Sequence, residues 1–310
     1  MNIVFALFYS ASEQIFCNQK EKKGYGNYLF YPFWELKQRL GSQGHNVVSR
    51  KEFDIFKADI AVFYDIDEKL YELALSLPAG TKKILLCFES PIYTPVAHHA
   101  AILNRGHWDA VITYNRSFTG NKIHHIDIPV AGKQVTPVYP TETKQDDCGV
   151  IVASYKGDIR GETHLRDTLL KRLAAEKRIH IYGIGWKKAD NIFGQVEDKI
   201  ATMSQYSYAL SFENSVYPGY VTEKLGDAVL AGLPSIYYGD WENAERRFPG
   251  VFIPLTKLDF EHFMNAKDEL EQRHGELLEN VRHCQAASDG WMDSFLDTFI
   301  AIVNKFQERS

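Results

Sequence analysis

The stretch YALSFENSVYPGYVTEKLGDAVLAGLPSIYYG, residues 208–239, decides the fold. YALSFEN reads as a strand, Pro218-Gly219 as a turn, TEKLGDAVLAG as a helix and LPSIYYG as a second strand. Two strands joined through a helix in so short a span form a parallel crossover unit, which places the chain in the α/β class. The connection also collects Glu213, Asn214, Tyr220, Thr222, Glu223 and Lys224 at the carboxyl end of a strand, where open α/β sheets hold their ligands.

The same alternation extends in both directions. Upstream lie a strand in CGVIVAS (148–154), a helix in THLRDTLLKRLAAEK (163–177), a strand in RIHIYGIG (178–185) and a helix in EDKIATMSQYS (197–207). Earlier still, Ile3 to Tyr9, Asn46 to Ser49, Asp59 to Tyr64, Lys83 to Phe88 and Ala110 to Tyr114 read as strands. Leu29, Phe30, Phe33, Leu36 and Leu40 fall at helical spacing with Gly41 as a stop, and 67–77 and 97–105 are helical stretches. Residues 133–147, KQVTPVYPTETKQDD, have two prolines and no periodicity, and read as a linker. The expected division is therefore 1–140, a Rossmann-like domain; 141–288, a second one; and 289–310, a helix packed on the body. Residues 259–306 are mostly helical, with Trp291, Phe295, Phe299, Ile302 and Val303 on one face. Two such halves in tandem are expected to bind ligands in the cleft that they share.

A chain of 310 residues exceeds one ordinary core, at about 150 residues per domain. Its formal net charge of -5 argues against a sequence-independent grip on nucleic acid, so no nucleic-acid partner is expected. The four cysteines are widely spread and show no C-x-x-C spacing, and read as reduced thiols. MNIVFALFYSASEQIF reads as a buried strand rather than a secretory leader, and no stretch reaches the roughly 20 apolar residues of a membrane span. The expectation is a cytoplasmic protein, with peripheral contact at the inner membrane as the most that the sequence allows.

Three strand ends offer chemistry. Thr222 stands at an N-cap position, and the helix start behind it favours an anion such as a diphosphate, to which Lys224 adds charge and Glu223 a ribose acceptor. The pattern is equally met if Glu223 only complements the helix dipole and Lys224 is solvated. LLCFESPIYTP (85–95) runs a strand into Glu89, which could serve as a general base or merely cap the next helix. VASYKGDIRGE (152–162) brings Lys156 and Arg160 to where a phosphate could be met, or leaves them solvated. No P-loop and no opening G-x-G-x-x-G occurs, and YGIGW (182–186) supplies only two glycines. His98/His99 and His124/His125 read as surface or packing residues, and Asp65-Ile-Asp67 lacks a third metal ligand, so no metal site is expected.

FENSVYPGYVTEKL resembles the signature of the α1,3/α1,4-fucosyltransferases, glycosyltransferase family 10, and CFESPIYTP resembles their E-S-P motif. DAVITYNRSF followed by IDIPVAG, and VASYKG followed by IHIYGIG and SQYSYALSFENS, are similar to the family in order and content, so the resemblance covers about 85 to 245. It implies a GT-B architecture of two doubly wound domains facing a central cleft, in a bacterial-type soluble member. It implies inverting transfer of L-fucose from GDP-fucose to a GlcNAc-containing surface glycan, oligosaccharide or glycolipid, with α1,3 linkage. Glu89 would be the base, and Arg160 and Lys224 would contact the diphosphate, with Lys156 as the alternative to Arg160. Glu223 would hold the ribose, Asn214 and Tyr220 would lie against sugar and phosphates, and Thr222, Ser154 and Tyr182 would complete the donor site. No cofactor is obligatory on this reading, and a divalent cation would at most stimulate. The alternatives are the same scaffold with another nucleotide sugar, or a non-catalytic module that binds sugar nucleotide or glycan.

Overall fold

A computed structural model describes residues 1–8, 15–16, 29–103, 105–132, 145–155, 157 and 160–308. The expected contact Lys156, the end of the first expected strand at Tyr9 and most of the 133–147 linker lie outside the described residues. The chain divides into two compact units. The first holds Phe30–Pro129 with the opening strand and Met292–Ser310, and the second holds Val130–Trp291.

In the first unit, β1 (Asn2–Leu7), β2 (Asn46–Ser49), β3 (Ile60–Tyr64), β4 (Lys82–Cys87), β5 (Ala110–Thr113) and β6 (Ile123–His125) form a sheet in the order β2-β1-β3-β4-β5-β6. Every pairing is parallel. NIVFAL and IAVFY are apolar almost throughout because such strands are covered on both faces. Helices α1 (Tyr31–Ser42), α2 (Glu68–Ser76) and α3 (Pro95–Leu103) follow β1, β3 and β4. Gly41 does not end α1: the chain leaves the helix at Gly44, whose φ of +82° takes the left-handed turn, while His45 N donates to Leu40 O at 3.1 Å.

The second unit contains β7 (Gln145–Val152), α4 (Thr163–Ala175), β8 (Ile179–Tyr182), α5 (Lys199–Met203), β9 (Tyr206–Phe212), α6 (Glu223–Leu230), β10 (Ser235–Tyr238), α7 (Trp241–Arg247), β11 (Phe252–Pro254) and α8 (Phe260–Ala286). Its sheet runs β11-β10-β9-β7-β8, again parallel. β7 pairs with β8 on one side and β9 on the other, so the order reverses beside β7, and a doubly wound sheet binds its ligand at the carboxyl ends there. α5 is half the expected length, since the chain is already in β9 at Tyr206.

The last helix, α9 (Asp293–Gln307), completes the first unit's core. Phe299 stacks on Phe5 at 5.9 Å, and Phe295 meets Phe33 and Phe88 at 5.3 and 5.9 Å. Trp291, expected on the same face, instead packs edge-on against Phe248 of the second unit at 5.0 Å. The apolar stripe therefore splits between the two units at Trp291 and Met292.

Candidate functional site

Leaving β9, the chain makes a tight turn at Tyr217-Pro218-Gly219-Tyr220. Tyr220 N donates to Tyr217 O at 2.9 Å and Gly219 has a φ of +82°, the pattern of a type II turn with Pro and Gly at its centre. Two side chains from α7 and its start fix the turn: Gly219 N donates to Asp240 Oδ2 at 2.6 Å, and Arg247 donates to Val221 O at 3.0 Å.

Glu213, 1 % exposed, closes the connection from inside. Its carboxylate accepts Thr222 N at 2.8 Å, the Thr222 hydroxyl at 2.7 Å and Lys224 Nζ at 2.9 Å. A buried carboxylate with three donors is satisfied, and it locks strand end, turn and helix start into one piece. Thr222 is the N-cap by position, but its hydroxyl serves Glu213 and receives Lys224 at 2.8 Å instead of capping α6. Lys224 thus sits at the first turn of α6 with its ammonium directed at Glu213, Thr222 and, at 3.7 Å, Glu223. Burial opposes ionisation of Glu223, yet Lys224, Lys199 and local hydrogen bonds hold its carboxyl well below the usual range. One turn on, buried Asp227 pairs with buried Lys199 at 2.6 Å.

The loop after β7 meets the loop after β9 through Arg166. This residue, 1 % exposed, donates to Asn214 Oδ1 at 3.1 Å and to Ser154 O at 3.2 Å, and is balanced by Asp167 at 3.1 Å. A guanidinium can make these contacts together because its donors form a planar fork. Arg166 was missed in the sequence, although it stands at the head of the stripe Arg166, Leu169, Leu170, Leu173, all buried in α4. A charge on an apolar face was the available signal. Arg160, preferred on the sequence, is exposed, and its carbonyl accepts the Thr163 hydroxyl at 3.1 Å.

The YGIGW segment forms a wall of the same loop. Trp186 Nε1 donates to Ala153 O at 2.7 Å, Tyr155 N to Ile184 O at 2.9 Å, and a Cβ on Gly183 would collide with Ala153 O. Its glycine is there for close backbone approach. Tyr182 does not join the cluster: its hydroxyl pairs with Tyr206, the first residue of β9, at 2.8 Å, and its ring stacks on Phe193. Tyr220 is 2 % exposed, so its ring belongs to the packing of the turn.

In the first unit Glu89 follows β4 and is half-buried, with Oε1 accepting Ser90 N at 2.9 Å. Its carbonyl accepts from the hydroxyl of Tyr114 at 3.4 Å and lies 2.9 Å from His98 Nε2. Beneath it, Asp65 follows β3 in the left-handed region at a φ of +43° and is 1 % exposed. Its carboxylate takes the N–H groups of Phe88 and Glu89. Burial, with Glu89 adding, pushes the Asp65 carboxyl up to about 8 against those hydrogen bonds. His98 is thus a packing residue of this turn, and His124 and His125 belong to the short edge strand β6.

Residues 144–279 match the family described as glycosyltransferase family 10 (fucosyltransferase), C-terminal. Among curated relatives, the 4-galactosyl-N-acetylglucosaminide 3-alpha-L-fucosyltransferase 9 of Mus musculus and that of Homo sapiens are each 30 % identical over 179 residues, 56 % of this chain and 44 % of theirs. The GDP-fucose protein O-fucosyltransferase 3 of Danio rerio is 23 % identical over 307 residues, 86 % of this chain and 65 % of its own. The chain spans less than half the length of the fucosyltransferase 9 relatives. Among solved structures, an alpha1,3-fucosyltransferase aligns at a TM-score of 0.60 with 16 % identity over 99 % of this chain and 90 % of that one. An alpha-glucosyltransferase in complex with UDP and DNA aligns at 0.60 with 11 % identity, over 98 % and 100 %. These similarities give the fold, the two-domain GT-B architecture.

In the second unit, Ser154 and Asn214 stand in the loops after β7 and β9, and Thr222, Glu223 and Lys224 at the start of α6, with Arg166 added and Tyr182 directed elsewhere. Among the described residues no three His, Cys, Asp or Glu side chains gather as a metal site. No described helix is long and apolar enough to cross a membrane.

Proposed function

We propose that the protein transfers L-fucose from GDP-fucose to a hydroxyl of a GlcNAc-containing glycan, with inversion and α1,3 linkage. The observation that carries this reading is the Glu213–Thr222–Lys224 cluster, built from the FENS and TEK segments of the stretch that matches family 10. It places a lysine and a glutamate in the first turn of a helix at a strand's carboxyl end, a place suited to a diphosphate and a ribose.

In the proposed reaction the acceptor oxygen attacks the fucose anomeric carbon from the face opposite GDP. Its proton passes to the Glu89 carboxylate as the new C–O bond forms. The bond from that carbon to the β-phosphate oxygen breaks, and its electron pair leaves with GDP through an oxocarbenium-like transition state. Lys224 and the start of α6 stabilise the charge growing on the diphosphate, with Arg160 or Lys156 assisting from the loop after β7. Glu223 accepts from the ribose hydroxyls, for which an ionised carboxylate is suited. Asn214, oriented by Arg166, lies against the fucose, and Ser154 and Tyr220 shape the site.

The curated relatives differ in acceptor, one name specifying a galactosyl-N-acetylglucosaminide and another a protein. The test is transfer from GDP-fucose, GDP-mannose and UDP-glucose to N-acetyllactosamine and to a Ser/Thr peptide. Turnover of GDP-fucose with the disaccharide is expected. Absence of GDP-fucose binding and turnover, with a UDP-sugar consumed instead, would sink the proposal.

A further inference from the structure

At the amino ends of β4, β5 and β6 the first unit opens into a pocket of about 500 Å³, lined in part by α9. Lys82 begins β4, and that strand separates it by roughly 20 Å from the turn that carries Glu89. The pocket is therefore distinct from the site already described.

Three lysines line it: Lys82, Lys122 just before β6, and Lys305 of α9. One carboxylate faces them, Asp109, paired with Lys82 at 3.6 Å, while Lys122 Nζ donates to Trp108 O at 2.7 Å. The lining keeps two surplus positive charges in a chain whose formal net charge is -5. No described carboxylate pairs with Lys305. Beside the ammonium groups the floor is apolar, made by the buried side chains of Ile302 and Phe306, and Lys82 Nζ stands 6.0 Å from the Phe306 ring. A concave, cationic pocket with an apolar floor concentrates anions that also carry a hydrocarbon or ring surface.

We propose that this pocket binds a phosphate-bearing ligand, with the phosphate among Lys82, Lys122 and Lys305 and the organic portion on Ile302 and Phe306. His124, which lines the same pocket, reports on it: burial, Lys305 and neighbouring His125 hold its imidazole below the usual range. The charged groups facing His124 are Lys82 on β4, Asp109 before β5, Lys122 and His125 around β6, and Lys305 on α9. A bound phosphate reverses the local field and favours the imidazolium, so binding raises the His124 pKa and tightens as pH falls.

The proposal is independent of the donor assignment, because the readout is local. Pyrophosphate is titrated into the full chain, with the His124 imidazole followed by NMR against pH. An upward shift is expected, together with an affinity lowered about fivefold or more in Lys305→Glu, whose exposed side chain can be changed without cost to the core. Flotation with phosphatidylglycerol and with phosphatidylcholine vesicles separates the sources. Binding to the anionic vesicles that pyrophosphate competes away assigns a lipid headgroup, and no vesicle binding assigns a soluble phosphate ester. A His124 titration unmoved by pyrophosphate, or equal affinity in wild type and Lys305→Glu, overturns the site.

Discussion

Asp65 holds the backbone of Glu89: both of its carboxylate oxygens lie 3.1 Å from Glu89 N, and Oδ1 also accepts Phe88 N at 3.0 Å. The Asp65 carboxyl is pushed up to about 8, whereas an unfolded aspartate titrates near 4. Between about pH 4 and pH 8 the folded chain therefore keeps a proton that the unfolded chain has lost, and this residue's contribution to stability falls as pH rises. Asp65→Asn removes that dependence and retains an oxygen acceptor for the amides. Urea denaturation at several pH values should show the variant gaining on wild type steadily from pH 4 to 8; a constant difference would refute the protonated Asp65.

Glu89→Gln keeps an Oε1 able to accept Ser90 N, so the turn should stand unchanged. As the proposed base it should lose transfer by about 10²-fold or more while GDP affinity is retained. Asp65→Ala should lower kcat and leave the KM for donor unaltered, since it disturbs the backbone at Glu89 and not the second unit. Wild-type kcat in Glu89→Gln would remove the residue from the mechanism.

The alternation of strands and helices was legible because parallel strands buried on both faces read as continuous apolar runs, as in NIVFAL and IAVFY. IHH of β6 and FIP of β11 are too short to show any period, and both were missed. The amphipathic pattern around α9 signalled a docked helix, but not that its face ends at Met292 while Trp291 packs on Phe248 in the other unit. At the site, Glu213, Thr222 and Lys224 could be read as one stretch; that Glu213 is their shared acceptor depends on the turn bringing residue 213 back to 222. Arg166 escaped because a helical stripe hides a cation whose partners, Ser154 and Asn214, come from loops that are far apart in the sequence and are brought together only by the pairing of β7 with β9.

Lys224 and Glu213 share one ion pair at 2.9 Å, so both substitutions cost stability, and GDP affinity distinguishes them. Lys224→Ala removes the ammonium proposed to meet the diphosphate and should weaken GDP by about tenfold, an exchange of one charge-assisted hydrogen bond. Glu213→Ala leaves the Thr222 amide without its acceptor inside the protein, at about 1–3 kcal/mol for each buried group left unsatisfied. Calorimetry of GDP binding and urea unfolding on both variants check this. Unchanged GDP affinity in Lys224→Ala would count against its phosphate role.

Arg166 offers the sharpest test of how the two loops are coupled. Removing it as Arg166→Met takes the guanidinium from the Asp167 carboxylate and unties Ser154 from Asn214, and loss of one partner from a buried ion pair costs about 3–5 kcal/mol. Arg166→Lys preserves the charge but lacks the planar fork, so it should retain much of the stability while losing GDP-fucose affinity through a misplaced Asn214. Arg166→Met combined with Asp167→Asn should recover part of the unfolding free energy, because a buried negative charge that has lost its cation is gone, yet recover none of the donor binding. If the double variant regains both together, Arg166 acts only by stabilising the domain; if stability returns alone, its role is to set Asn214 against the donor.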